Sequence, residues 1–237
     1  MVAETNNKNK FKPFPLTDMQ MSYYFGRNTD YEMGGVATHS YTEIETNIDI
    51  TAFNNALNKT IKRHDMLRCV ILPSGEQKIL EYVPEYRVKE IDLTNYCAIE
   101  KESILKEKRK ELSHQVFDPE KWPLFEFVLF KISEEKQILA ISRDLLIADA
   151  SSMDIFGNDV VYYYKNPQGE LPPIEYTFKE YVSEYKKVKE MKEYEEDKEF
   201  WRGKLENFPL APSLPMLQEP SSIIRPNFSR VERIYDN

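Results

Sequence analysis

Between residues 49 and 64 the apolar positions recur with the period of a helix: Phe53, Ala56, Leu57, Thr60 and Ile61 fall at i, i+3, i+4, i+7 and i+8, with Asp49 or Thr51 placed to cap the start. Upstream the period is two, Ser40, Thr42, Ile44 and Thr46 sharing one face, which predicts a strand over 39–46. Thr17 is placed to cap a short helix reaching Phe25, with Asp18 and Gln20 in its first turn, and Gly34-Gly35 marks a turn. Residues 66–72 and 77–83 are β-rich runs around Pro73-Ser74-Gly75-Glu76, a hairpin signal. A charged amphipathic helix is predicted over 98–116, carrying Ile99, Leu105, Leu112 and Val116. Two apolar runs, 124–132 and 137–146, flank Ser133-Glu134-Glu135-Lys136 and read as an antiparallel hairpin in a largely buried sheet.

A helix follows over about 152–164, then a proline-bounded loop to Pro173. Residues 177–208 are expected to form one long charged helix burying Phe178, Tyr181, Val182, Tyr185, Val188, Trp201 and Leu205. The stretch 209–226 is proline-rich and predicts an extended connector, and 229–235 alternates as a strand that has barely begun. The expected division is a disordered tail over 1–12, a lobe over 13–208, and a connector with the start of a further lobe over 209–237. Helices and strands in this mixed order predict an α/β sandwich, a mixed and largely antiparallel sheet covered by helices.

Composition narrows the chemistry. The 237 residues are 41% hydrophobic and carry a formal charge of -8, which suits a packed protein and disfavours a nucleic-acid binder. The 7 glycines form no phosphate-cradling turn. Cys69 and Cys97 have no CxxC spacing, and His39, His64 and His114 never fall at metal-ligand spacing, so no metal is expected and a reducing, cytoplasmic setting is. With no apolar run of membrane-spanning length and a polar, lysine-rich start, no membrane partner is expected.

One segment stands out. Ile141 to Ser152 places Asp144, Asp149 and Ser152 at the exit of the most apolar strand. If the strand alternates, Asp144 shares a face with Ile138 and Ala140, and an unpaired carboxylate there would cost several kcal/mol, so it needs a partner or a water-filled channel. Asp149 lies just before the next helix, where its ordinary role is a cap or a salt bridge, and Ser151 and Ser152 are ordinary capping hydroxyls.

These residues carry a family resemblance. Residues 14–27, Phe14-Pro15-Leu16-Thr17 through Gln20 to Gly26-Arg27, resemble the opening motif FPLTxxQxAYxxGR of the heterocyclization domains of nonribosomal peptide synthetases, a branch of the condensation-domain superfamily, with a departure at Met21-Ser22. Arg63-His64-Asp65-Met66-Leu67 resembles the second motif, Asp144, Asp149 and Ser152 match DxxxxDxxS, and residues 210–216 resemble the proline-rich fourth. Gly34-Gly35-Val36 and residues 122–126 are also similar to the family.

The resemblance implies a chloramphenicol-acetyltransferase-like lobe, one of two that enclose a tunnel with a carrier protein docking at each mouth. Plain condensing domains carry HHxxxDG here; this chain has Asp144 and Leu145 at the two His positions and Asp149 at the Asp position, and a leucine moves no proton. The implied reaction joins an acyl or peptidyl thioester to carrier-bound Cys, Ser or Thr and cyclodehydrates the product to a thiazoline or oxazoline, both substrates riding on phosphopantetheine arms. Asp144, Asp149 and Ser152 are then the catalytic candidates. Asp144 is expected to touch substrate, and Asp149 to pair with Arg63 or Arg68. His64 and His114 remain as bases at helix ends.

Nothing resembles the family's later motifs, so the chain is expected to be an N-terminal lobe, inactive by itself, whose partners are carrier proteins, the C-terminal lobe and neighbouring synthetase domains. Two other classes stay open: a non-catalytic module that binds a carrier or neighbouring domain, and an acyltransferase that completes its tunnel by self-association.

Overall fold

A helix that is apolar along one stripe needs an apolar surface to lie on, and the 53–61 stripe finds it in a sheet. In the computed structural model, which describes residues 9–31, 33–210, 215–223 and 226, the elements begin with β1 (Phe14–Pro15), α1 (Asp18–Phe25), β2 (His39–Thr46) and α2 (Ile50–Arg63). A single 3-10 turn over Asp65–Arg68 leads to β3 (Cys69–Ile71), β4 (Glu76–Ile79) and β5 (Lys89–Asp92). Then come α3 (Ala98–Ser113), β6 (Phe125–Lys131), β7 (Gln137–Asp144), α4 (Ala150–Lys165), α5 (Phe178–Val188) and α6 (Lys192–Leu205).

The main sheet has the order β2-β7-β6-β5, antiparallel except for the β5–β6 pair. The 124–146 hairpin is present, in a register that runs from Phe125 opposite Arg143 to Lys131 opposite Gln137. A small antiparallel sheet, β1-β4-β3, lies beside it, and Gly75 turns its hairpin at φ 77°. Alternation sends Phe125, Leu129, Leu139 and Ile141 to one face, where they pack with Phe53, Leu57 and Ile61 of α2 and with Met153, Phe156 and Val160 of α4. Val128, Phe130 and Ala140 face the other way, against Leu112 of α3. Helices therefore cover both faces, as the α/β sandwich requires.

The caps follow the side chains available. Thr17 and Gln20 make a reciprocal capping box on α1, Thr177 and Glu180 another on α5, and Asp49 caps α2.

Three expectations are corrected. Residues 9–12, expected to belong to a disordered tail, are placed on the lobe: Phe11 packs against the main core, Lys10 Nζ stands 2.9 Å from Asp65, and Lys179 donates to the Lys12 carbonyl at 2.7 Å. The long helix over 177–208 is two. Its hydrogen bonds tighten to i→i−3 at Lys189, Glu190 and Met191, where Lys189 is held by Asp18 of α1, and Met191 then takes an extended ψ of 151°. Its stripe is also mostly bare: Val182 is buried, but Trp201 is 60% exposed, and Leu205, Tyr181 and Val188 are exposed. The segment 229–235, read as a strand, lies outside the described residues, as do parts of the proline-rich stretch.

Candidate active site

β7 ends at Asp144, and the chain turns over Leu145–Ala148 before α4 begins. This turn, α1, the C-terminal end of α2, α4 and α5 line an open cleft of about 1470 Å³. Its walls are mixed: Phe156, Tyr163, Phe178 and Tyr181 alternate with Lys59, Lys62, Arg63, Asp149 and Asp159. Tyr181 stacks between Phe178 and Tyr185 along α5, at centroid distances of 5.8 and 6.0 Å. Leu145 and Ser152 line it as well.

Asp144 does not line the cleft. It is fully buried, ion-paired with Arg27, and accepts the Leu146 N–H at 2.9 Å. Arg27 also donates to the Phe117 carbonyl at 3.2 Å, so the end of α1 is tied to the end of β7 and to the loop after α3. Burial raises the Asp144 carboxyl above its ordinary value, against the Arg27 charge and the Leu146 N–H, which pull it down. The substrate-facing role expected of Asp144 is thus corrected: the strand's alternation sends it inward, and its partner comes from far away in the chain.

Asp149 takes the opposite place. It is exposed and caps α4, accepting the Ser152 N–H at 2.8 Å and the Ser152 hydroxyl at 2.6 Å. The Ser152 hydroxyl and backbone bonds hold its carboxyl below the ordinary range, so it is a hydrogen-bond acceptor at the cleft wall rather than a carrier of protons near neutral pH. Neither arginine expected beside it is there. Arg63 donates from Nε to Asp159 at 2.9 Å, and Arg68 donates to Asp65 at 2.7 Å and to the Leu80 carbonyl at 2.6 Å. Replacing Asp149 with alanine is therefore expected to cost about 1 kcal/mol of stability, the usual worth of a cap, with Asp149→Asn costing less, as thermal unfolding would show. The carboxylate's share is present above the pKa of the unfolded chain and is lost as the pH falls through the depressed folded value.

The turn between Asp144 and Asp149 is held from beneath by two glutamines. Gln20 Nε2 donates to the Leu146 carbonyl at 2.8 Å and to Gln77 Oε1 at 2.9 Å, and Gln77 Nε2 donates back to Gln20 Oε1 at 2.9 Å and to the Pro15 carbonyl at 2.9 Å. Both side chains are buried, and their hydrogen-bonding groups are well used. Sequence reasoning did not assign Gln20, Arg27, Gln77 or Asp159 a place in the site. The signal for the first two was present, since both lie within the motif-like run 14–27.

His64 caps the C-terminal end of α2 and lines the cleft, and its ring Nε2 lies 2.6 Å from Asp159 Oδ2. His114 closes α3, away from the cleft residues. Cys69 is buried, its thiol pushed up to about 12 by burial, and offers no nucleophile. Among the described residues no three His, Cys, Asp or Glu side chains stand together to hold a metal ion, and no helix is long and apolar enough to cross a membrane.

A family model described as Condensation domain matches residues 11–229. Bacitracin synthase 1 of Bacillus licheniformis is 36% identical over 94% of this chain and 4% of its own length. Phenyloxazoline synthase MbtB of Mycobacterium sp. (strain MCS) is 31% identical over 86% of this chain and 17% of its own. The cyclization-docking bidomain of the EpoB nonribosomal peptide synthetase from Sorangium cellulosum superposes with a TM-score of 0.85 at 31% identity, over 91% of this chain and 43% of that one. The chain thus spans less than half the length of each of these proteins.

Proposed function

Because the chain belongs to the condensation domain family, we propose that it is the N-terminal lobe of a heterocyclization domain in a nonribosomal peptide synthetase. The observation that carries this reading is the 144–152 turn. Where an amide-forming site of the plain condensing type would present an imidazole, this turn presents Leu145. Asp144 is consumed by Arg27, and Asp149 with Ser152 forms the cap at the cleft wall. The similarity to a phenyloxazoline synthase and to a cyclization bidomain supports the same branch.

The substrates on this reading are an acyl or peptidyl thioester and the amine of a Cys, Ser or Thr, each carried on the phosphopantetheine arm of a carrier protein in the cytoplasm. The cleft's first task is orientation. Two tethered chains held side by side along α4 gain much of the rate from proximity alone. The cleft is open, and on this reading the remainder of the domain closes it, so the lobe by itself is expected to be inactive.

The test joins this segment to the remainder of its domain, supplies two loaded carriers, and follows product mass. Amide formation followed by loss of one water is expected from the joined protein, and no product from the lobe alone. A product that stays a linear amide would overturn the cyclizing assignment, and turnover by the lobe alone would overturn its incompleteness.

A further inference from the structure

Amide formation from an amine and a thioester needs a group that takes a proton from the attacking nitrogen and returns one to the departing sulfur. Leu145 carries none, Asp144 is locked to Arg27, and Asp149 is held low by its cap. The cleft is nevertheless lined by one imidazole among the described residues, that of His64.

Its setting is that of an oriented base. The ring lies edge-on to Phe156 at 4.7 Å between centroids, which fixes its plane. Asp159 Oδ2 receives both Arg63 Nε at 2.9 Å and His64 Nε2 at 2.6 Å. A carboxylate on Nε2 assigns the proton to that nitrogen and leaves the lone pair on Nδ1, which makes no hydrogen bond with the described residues. The charged groups around the ring are Asp159 of α4, Arg63 beside it on α2, and Asp65 in the 3-10 turn. Asp65 is itself tied to Arg68 and Lys10. Burial lowers the imidazole's affinity for a proton, outweighing the pull of Asp159, and so favours the neutral ring. Asp149, Ser152, Phe156 and Asp159 recur along one face of α4, so the cap and the His64 site share a wall, separated by about 15 Å of helix.

We propose that His64, oriented by Asp159, is the proton acceptor of the amide-forming step. This rests on the condensing function assigned above. As the amine nitrogen bonds to the thioester carbonyl carbon, its proton passes to Nδ1; as the C–S bond breaks, Nδ1 gives that proton to the leaving thiolate.

The experiment is a rapid-quench measurement of amide formation across pH 5.5 to 8.5, with the segment joined to the remainder of its domain and both carriers loaded. His64→Gln, whose amide can still donate to Asp159, is expected to lose roughly 10²–10³-fold in rate and the acidic limb of the pH profile, with an unchanged melting temperature. Asp159→Asn is expected to keep the limb but shift it, with a smaller loss. Amide formation by His64→Gln within about threefold of the parent, on the same pH limb, would overturn the proposal. Should His64→Gln fail to fold, Asp159→Asn decides, and an unshifted limb at the parent rate overturns it. Ring closure is scored separately on the same samples. A parent protein that makes the linear amide and no ring overturns the cyclizing reading while leaving the His64 result standing, and a normal ring with an indifferent His64→Gln overturns only His64.

Discussion

Arg27→Ala is expected to remove about 3–5 kcal/mol of folding stability, because it strands a fully buried carboxylate whose charge it had balanced. Urea unfolding would read this as a lower midpoint. The deficit has a pH signature. Burial already raises the Asp144 carboxyl, and without Arg27 it rises further. A carboxyl raised in the folded state binds its proton before the unfolded chain does, so the variant should regain stability relative to the parent as the pH falls from 7 toward the ordinary carboxylate range. The double variant Arg27→Met, Asp144→Leu is expected to be more stable than Arg27→Ala, since it removes both charges together. An Arg27→Ala protein as stable as its parent, with no pH dependence of the difference, would show that the pair carries nothing. The same physics reassigns the effect of Asp144 variants. Their loss of activity should track the unfolded fraction rather than a missing catalytic group.

Gln20→Ala is the second large effect expected, on the order of 3 kcal/mol, since it leaves the Leu146 carbonyl and one end of the buried Gln77 amide without partners. Gln20→Leu should be no better, because filling the space restores no hydrogen bond. The damage is local as well as global: the 145–148 turn loses its tether to α1, so the backbone amides of Leu146 and Ile147 should exchange with solvent faster in the variant even under conditions where it is folded. Unchanged exchange there would mean that the Gln20 bonds do not hold the turn.

How much of this was legible depended on sequence distance. The α2 stripe, the Ser133–Lys136 hairpin and the Gly75 turn were readable because each is written in neighbouring residues. The Arg27–Asp144 pair spans 117 positions and the Gln20–Gln77 pair 57, and no periodicity links such partners. Ile138 and Ala140 share one cluster, and the partner that energetics demanded for Asp144 is Arg27. What failed was the choice between a partner and a channel, which only the fold decides. The β5–β6 pairing was missed for a related reason: Lys89–Asp92 is short and polar, and it becomes a strand only because Val128 to Lys131 lie beside it. The break at Lys189 was hidden because no glycine or proline marks it in the sequence; Lys189 there meets Asp18 on a different element.

The two tryptophans stand in different environments, Trp122 half-buried against the core and Trp201 exposed. Trp122 donates its indole N–H to the Leu67 carbonyl at 2.9 Å against Phe125 and Tyr86, whereas Trp201 sits on the uncovered side of α6. Their fluorescence therefore separates two events in one spectrum. Blue-shifted emission from Trp122 reports whether the core is folded, and red-shifted emission from Trp201 moves only when something comes to rest on α6. A Trp201→Phe variant would isolate the first signal, so that folding and assembly can be followed independently without an added dye.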